Sequence, residues 1–206
     1  MNDLQDLSGE SLFILDPNWA TLPKYNLYPM RRILSYRGGD QIQSKGSVPY
    51  YSFNGTYLLY DRTRKNYFLN FMNDHSGRLN RFWVKHPQMS FTQKGDYGTG
   101  AVKINVERNQ FDWIYQGYER LYIEMPNGDI ITRKIDSVVE NVGADRLELS
   151  FTPALDRNIL TSQKAKIGRL LLMRMDHDQF SYKILTDEIS EITTRFVELL
   201  YEYLEV

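Results

Sequence analysis

Apolar positions along this chain follow a helical period in one stretch and a strand period nearly everywhere else. The helical stretch is Asp61 to Val84, DRTRKNYFLNFMNDHSGRLNRFWV. Tyr67, Phe68, Phe71 and Met72 recur at spacings of three and four, which gathers them on one helix face, while Arg64, Lys65 and Asn73 face away. Asp61 or Thr63 can cap the entry by accepting hydrogen bonds from the first free backbone N–H groups. Gly77 can take the left-handed backbone that ends a helix. Arg81-Phe82-Trp83-Val84 then runs extended until Pro87, because proline pushes the residue before it away from helical backbone.

The other segments read as strands and turns. Residues 1–11 are polar and predict an arm ordered by a neighbour, while Ser11 to Leu15 suits a strand. Asp16-Pro17-Asn18-Trp19 is a turn, followed by apolar anchors Trp19, Leu22 and Tyr25 in an irregular stretch to Pro29. Arg31 to Tyr36 is a strand with a turn at Gly38-Gly39-Asp40, and Asn54-Gly55 predicts a hairpin between Val48–Phe53 and Thr56–Tyr60. Val102, Ile104 and Val106 alternate with Lys103, Asn105 and Glu107, the signature of a half-buried strand. Leu121 to Met125 and Ile130 to Ile135 flank Pro126-Asn127-Gly128-Asp129, a second hairpin, and Ser137 to Val142 turns back at Gly143-Ala144-Asp145 into Arg146 to Phe151. Residues 151–165 read as loop, Ile167 to Met175 as a buried strand, and Phe180 to Leu185 as a short one. For Ile189 to Val206 helix and strand both fit, and the β-branched run Ile192-Thr193-Thr194 favours strand.

The pattern predicts a mainly β (α+β) fold, a split-barrel or β-sandwich-like domain with one packed amphipathic helix. An N-terminal arm, residues 1–15, precedes a single β-rich domain, 16–206, with a subdivision near 88–100 left open. With so many strands the edges must be paired or covered, which a ring of subunits with continuous sheets would do.

Composition narrows the chemistry. A net charge of −1 over 206 residues gives no basic field for gripping nucleic acid. The absence of cysteine removes disulfide scaffolds, thiolate zinc sites, iron–sulfur clusters and cysteine nucleophiles. The opening MNDLQDLSGESLFILDP has only a four-residue apolar run, Leu12 to Leu15, so neither a signal peptide nor a membrane span is expected, and the product is expected to be made in the cytoplasm and stay soluble.

Candidate ligand groups are few. Met175-Asp176-His177-Asp178 sets two carboxylates about an imidazole, a donor set for a divalent cation, yet neighbours on a strand point to opposite faces and a solvated turn explains it as well. Asp74-His75 suits the negative end of the helix dipole, and His86 before Pro87 has no visible partner, so the three histidines assemble no triad. Gly95-Asp96-Tyr97-Gly98-Thr99-Gly100 lacks the Lys-Ser/Thr of a phosphate-cradling loop and precedes a strand, so a mobile loop is expected. Arg31-Arg32 and Arg62, Arg64, Lys65 read as a solvated face or interface partners. Asn54-Gly55-Thr56 matches a glycosylation acceptor but, without a signal peptide, is a turn. Tyr50, Tyr51, Tyr57 and Tyr60 can stack on sugars or pave a sheet face or interface. No catalytic, cofactor-binding or metal residue is assigned.

Taken in order, Asp16-Pro17-Asn18-Trp19, the strand pair around Arg31 to Tyr60, Phe68-Leu69 to Gly77, Arg81-Phe82-Trp83-Val84, the glycine-rich loop and the terminal Thr194-Arg195-Phe196-Val197-Glu198-Leu199 resemble the distal tail and tail-hub (baseplate) proteins of tailed bacteriophages and gene transfer agents. The resemblance spans most of the chain from about Asp16 and lies in composition and order. It implies a virion structural protein with a split-barrel-like fold. Copies would form a closed ring, a hexamer by family analogy, joining the tail tube protein to hub or baseplate proteins in a particle assembled in the host cytoplasm. Some hub relatives carry cysteines for an iron–sulfur cluster; this chain has none, so that role drops out. The resemblance implies no catalysis, no cofactor, no specific nucleic-acid binding and no membrane insertion. Two other readings are a carbohydrate-binding β-sandwich using surface aromatics and a metal-dependent enzyme centred on Asp176, His177 and Asp178.

Overall fold

The computed structural model describes residues 3–4, 7, 10–18, 24–28, 31–36, 39–44, 50–76, 79–107, 120–177, 180–186 and 188–199. Its strands are β1 (Asp3–Leu4), β2 (Leu12–Phe13), β3 (Lys24–Tyr28), β4 (Arg31–Tyr36), β5 (Gly39–Ser44), β6 (Tyr50–Leu59), β7 (Phe82–Phe91), β8 (Lys103–Glu107), β9 (Arg120–Glu124), β10 (Ile130–Asn141), β11 (Arg146–Thr152), β12 (Lys166–Met175), β13 (Ser181–Ile184) and β14 (Ser190–Glu198). One α-helix among the described residues, α1 (Arg62–Asp74), joins β6 to β7. The fold is mainly β with one helix, as the two periodicities predict. Two compact units divide the chain, one of Met1–Leu12, Trp83–Leu171 and Leu204–Val206, the other of Phe13–Phe82 and Leu172–Tyr203.

The first unit is an antiparallel sheet in the order β12, β9, β10, β11, β8. Its β9–β10 hairpin turns where the sequence predicts: Gly128 N–H donates to the Met125 carbonyl (2.9 Å), Gly128 has φ +84°, and Asp129 N–H donates to Asn127 Oδ1 (3.1 Å). Alternation along β8 to β11 buries Ile104, Val106, Leu121, Ile123, Ile131, Leu147 and Leu149 in one aliphatic cluster. Each such side chain contributes on the order of 1.5–3 kcal/mol by leaving water. Val102 lies outside the ladder and is exposed, so the alternating face starts one pair later than its sequence suggests. Leu155 and Ile159, from the polar-looking loop after β11, are buried in the same cluster. Residues 1–12 belong to this unit, and β1 pairs parallel with β10, Asp3 opposite Ile131 and Leu4 opposite Thr132.

The second unit pairs β6 with β3 on one side and β14 on the other, all antiparallel. Met173–Met175 of β12 pair with β14. The C-terminal segment is therefore a strand through Glu198, as its β-branched run favours; residues 200–206 lie outside those described. Lys24–Tyr28, expected to be irregular, forms β3, while Trp19 and Leu22 lie outside the described residues.

Two turn expectations are corrected. Asn54-Gly55 makes no hairpin: β6 runs through it, with Gly55 opposite Thr194. The reason is packing. A Cβ on Gly55 would stand 2.8 Å from the Phe53 ring and 2.9 Å from the Tyr57 hydroxyl, so the glycine is needed for those aromatic neighbours to close over the strand. Pro87 does not stop β7, which continues to Phe91, because proline's fixed φ is compatible with extended backbone and costs only one ladder hydrogen bond.

The helix follows its pattern. Asp61 is the N-cap, its Oδ1 accepting from Arg64 N–H at 2.7 Å, and Phe68, Phe71 and Met72 are its buried residues. His75 caps the other end: its Nδ1 lies 2.7 Å from the Phe71 carbonyl and its ring stacks on the Phe71 ring at 4.0 Å. Ser76, at φ +49°, takes the left-handed position expected of Gly77, which lies outside the described residues. Phe13 is the centre of the aromatic core, with ring centroids 5.1 Å from Phe71, 5.2 Å from Tyr57 and 5.5 Å from Phe196.

Candidate functional site

The sequence-level ligand clusters resolve into structural contacts. Asp176 begins the turn after β12, where its carboxylate meets the Arg195 guanidinium at 3.2 Å and its N–H donates to the Arg195 carbonyl (2.9 Å). A guanidinium at that distance opposes a metal cation electrostatically. His177 lies 3.5 Å from the same carboxylate and is well exposed, and Asp178 lies outside the described residues. Among the described residues no three His, Asp or Glu side chains converge as a metal site.

His86 is buried in β7 and is held neutral. Burial, with the Arg169 cation adding to it, pushes its pKa down to about 3. Nearby positions of the first unit also bury charge: Lys85 pairs with Glu124 at 3.4 Å, and the Arg120 guanidinium sits 5.2 Å from the Trp83 ring centroid. A neutral histidine near Arg169 has the form of a general base, but at 3% exposure it is closed off from solvent. No local pattern marks this stretch as interior, because Lys85, His86 and Pro87 read as the end of a strand.

The glycine-rich stretch is neither a phosphate cradle nor a mobile loop. Tyr97 and Ile159 exchange backbone hydrogen bonds (2.9 and 2.8 Å), Gly100 N–H donates to the Leu155 carbonyl, and Thr99 N–H to Asn158 Oδ1. Asp96 Oδ1 accepts from both the N–H (2.6 Å) and the hydroxyl (2.7 Å) of Thr161, which lowers its pKa. The amides a phosphate would need at Tyr97, Thr99 and Gly100 are thus engaged. The partner, residues 155–161, reads as plain loop in the sequence; its one signal is the pair of apolar residues Leu155 and Ile159.

Tyrosines expected on the surface divide. Tyr57 is buried in the aromatic core and cannot stack on a sugar. Tyr60 is half exposed, but the Arg64 guanidinium covers its face at 4.1 Å from the centroid. For Tyr50 and Tyr51 only the backbone is described.

Two features of the second unit suit contact with another molecule. The first is β4–β5, a hairpin registered from Arg31 opposite Ser44 to Tyr36 opposite Gly39, which forms a two-stranded sheet of its own. Its turn residues 37–38 lie outside those described. The second is the strand end where Ser190 stands between Leu59 and Ile184, leaving Tyr60, Ile184 and Leu185 exposed. Lys65 lies 5.2 Å over the Tyr182 ring there, so the basic residues of α1's first turns flank an apolar surface. No helix among the described residues is long and apolar enough to cross a membrane. No protein-family model matches the chain, and no curated protein matches it.

Proposed function

We propose that this chain is a virion structural protein of a bacteriophage tail tip or baseplate, whose copies close into a ring joining the tail tube to the hub. The observation that carries the reading is the β4–β5 hairpin. Lying in sequence between β3 and β6, it pairs with neither of them among the described residues and forms a sheet of two strands. Two strands alone are marginal in water and gain from packing on a further surface. A neighbouring copy supplies that surface, and a head-to-tail contact that closes satisfies every copy alike. The order of motifs from Asp16 to Leu199 supports the tail-tip identity, and the net charge of −1 suits a ring through which DNA passes without being held. Its partners are then copies of itself (a hexamer by family analogy), the tube protein above and the hub below. It works in the tail after assembly in the host cytoplasm, with no catalysis.

The test replaces residues 31–44 by a short Asn-Gly turn and compares masses by light scattering. The intact chain is expected as a closed oligomer and the shortened one as a folded monomer. An intact chain that stays monomeric, or a shortened one that still closes, overturns the proposal.

A further inference from the structure

The chain carries the dipeptide Asn-Gly twice, at Asn54-Gly55 and Asn127-Gly128, and the fold places the two in opposite surroundings. Asn-Gly is especially prone to modify itself, because glycine has no side chain to keep its backbone nitrogen away from the asparagine's own amide carbon. In β6 that approach is blocked. Asn54 stands opposite Lys24 of β3 and Arg195 of β14, and Gly55 opposite Thr194, so the backbone is held extended from both sides. Gly55 is buried, and a Cβ there would stand 2.8 Å from the Phe53 ring.

At the β9–β10 turn the surroundings are open. Pro126, Asn127 and Gly128 are exposed, and no atom beyond its chain neighbours lies within 4 Å of where a Cβ of Gly128 would stand. The Asn127 amide is nevertheless held in place. Its Oδ1 accepts from the Asp129 N–H (3.1 Å), and its Nδ2 donates to Asp129 Oδ2 (3.0 Å). The first of these bonds reaches the oxygen on which negative charge develops when the amide carbon is attacked. The bond that must open is that of the Gly128 N–H to the Met125 carbonyl, and it belongs to an exposed turn.

We infer that Asn127-Gly128 is a self-modification site of the folded protein, converting to aspartate and isoaspartate, and that Asn54-Gly55 is protected by the fold. The Gly128 N–H gives its proton to solvent base, its nitrogen bonds to Asn127 Cγ, and the Cγ–Nδ2 bond breaks. Nδ2 leaves as ammonia, taking a proton from water. Water then opens the cyclic imide at either carbonyl. One opening gives aspartate and the other isoaspartate, which lengthens the main chain by a methylene. Either product puts a carboxylate where Nδ2 donated to Asp129, whose Oδ2 also accepts from Arg157 Nη1 (3.0 Å). Two like charges then face each other, so the conversion is an irreversible ageing mark that loosens the β9–β10 turn. It is independent of the ring.

The full-length protein is held in neutral buffer, either folded or in denaturant, then digested and mapped by mass spectrometry that separates aspartate from isoaspartate. In the folded chain the peptide holding Asn127 is expected to convert. The peptide holding Asn54 should convert at least about tenfold more slowly than in denaturant, where its reaction no longer waits for the ladder to open. An Asn127 that stays intact in the folded chain while converting in denaturant overturns the inference, and so does equal conversion of the two sites in the folded chain. Asn127→Asp presents one product from the start and should melt below the parent at neutral pH. A variant that melts with the parent overturns the loosening of the turn.

Discussion

The first unit buries its sheet under mainly aliphatic side chains from successive strands, with Phe91 and Phe151 among them, whereas the second closes around rings from distant parts of the chain. In the first, Ile104, Ile123, Ile131 and Leu149 come from strands adjacent in sequence or nearly so. In the second, Phe13, Tyr57, Phe71, Phe82 and Phe196 meet across almost the whole length of the chain. The polar interiors differ too: Lys85, His86, Arg120, Arg133 and Arg169 are buried in the first unit, while Ser52, His75, Ser190, Thr194 and Glu198 are in the second. A buried neutral histidine, His86, makes the first unit sensitive to acid. An aromatic interior makes the second sensitive to the loss of a single ring.

The sharpest attack on this contrast is Phe13→Ala. Phe13 is fully buried and touches six other rings, so its truncation is expected to cost about 3–5 kcal/mol in chemical denaturation. Ile123→Val in the aliphatic cluster should cost only about 0.5–1.5 kcal/mol. Equal costs from the two would mean that Phe13 is not the hub its contacts describe.

Acid separates the units next. His86 has a folded pKa of about 3 against an ordinary 6.5, so above pH 6.5 its neutral form costs nothing. Below 6.5 the unfolded chain binds a proton that the folded one refuses, and stability falls by about 1.4 kcal/mol per pH unit until about pH 3. Between pH 7 and pH 5 the loss from this group is about 2 kcal/mol, and His86→Gln should remove it. A variant whose denaturation midpoint falls as steeply as the parent's would assign the acid sensitivity elsewhere.

Gly55→Ala probes the aromatic packing over β6 and is expected to cost about 1–3 kcal/mol by crowding Phe53 and Tyr57. Thermal melting that tolerates alanine there would contradict the close approach. The smallest expected effect is Asp61→Ala, about 1 kcal/mol, from losing the cap on Arg64 N–H.

What could be read in advance follows the same division. Period-two alternation in β8 to β11 and the turn chemistry of Asn127-Gly128-Asp129 are local, so the first unit's hairpins were legible. So was α1, because Asp61 and the Tyr67–Met72 spacing act within one helix. Asn54-Gly55 misled because turn propensity yields to tertiary packing: the glycine serves the neighbouring rings instead of a positive φ. The glycine-rich stretch misled for a similar reason, since its order comes from residues 155–161, far along the chain. The buried charges left no local trace at all, for a lysine or arginine in a strand looks the same whether it meets water or a partner. Of the candidate interface, β4 and its turn region were readable, but not that β4 and β5 would form a two-stranded sheet of their own among the described residues.

Sedimentation velocity of the intact chain over a wide concentration range tests the central claim most directly. A building block that completes itself with its own copies should sediment as one closed species, a whole multiple of the 24.3 kDa chain. A single 24.3 kDa species at every concentration would contradict the account.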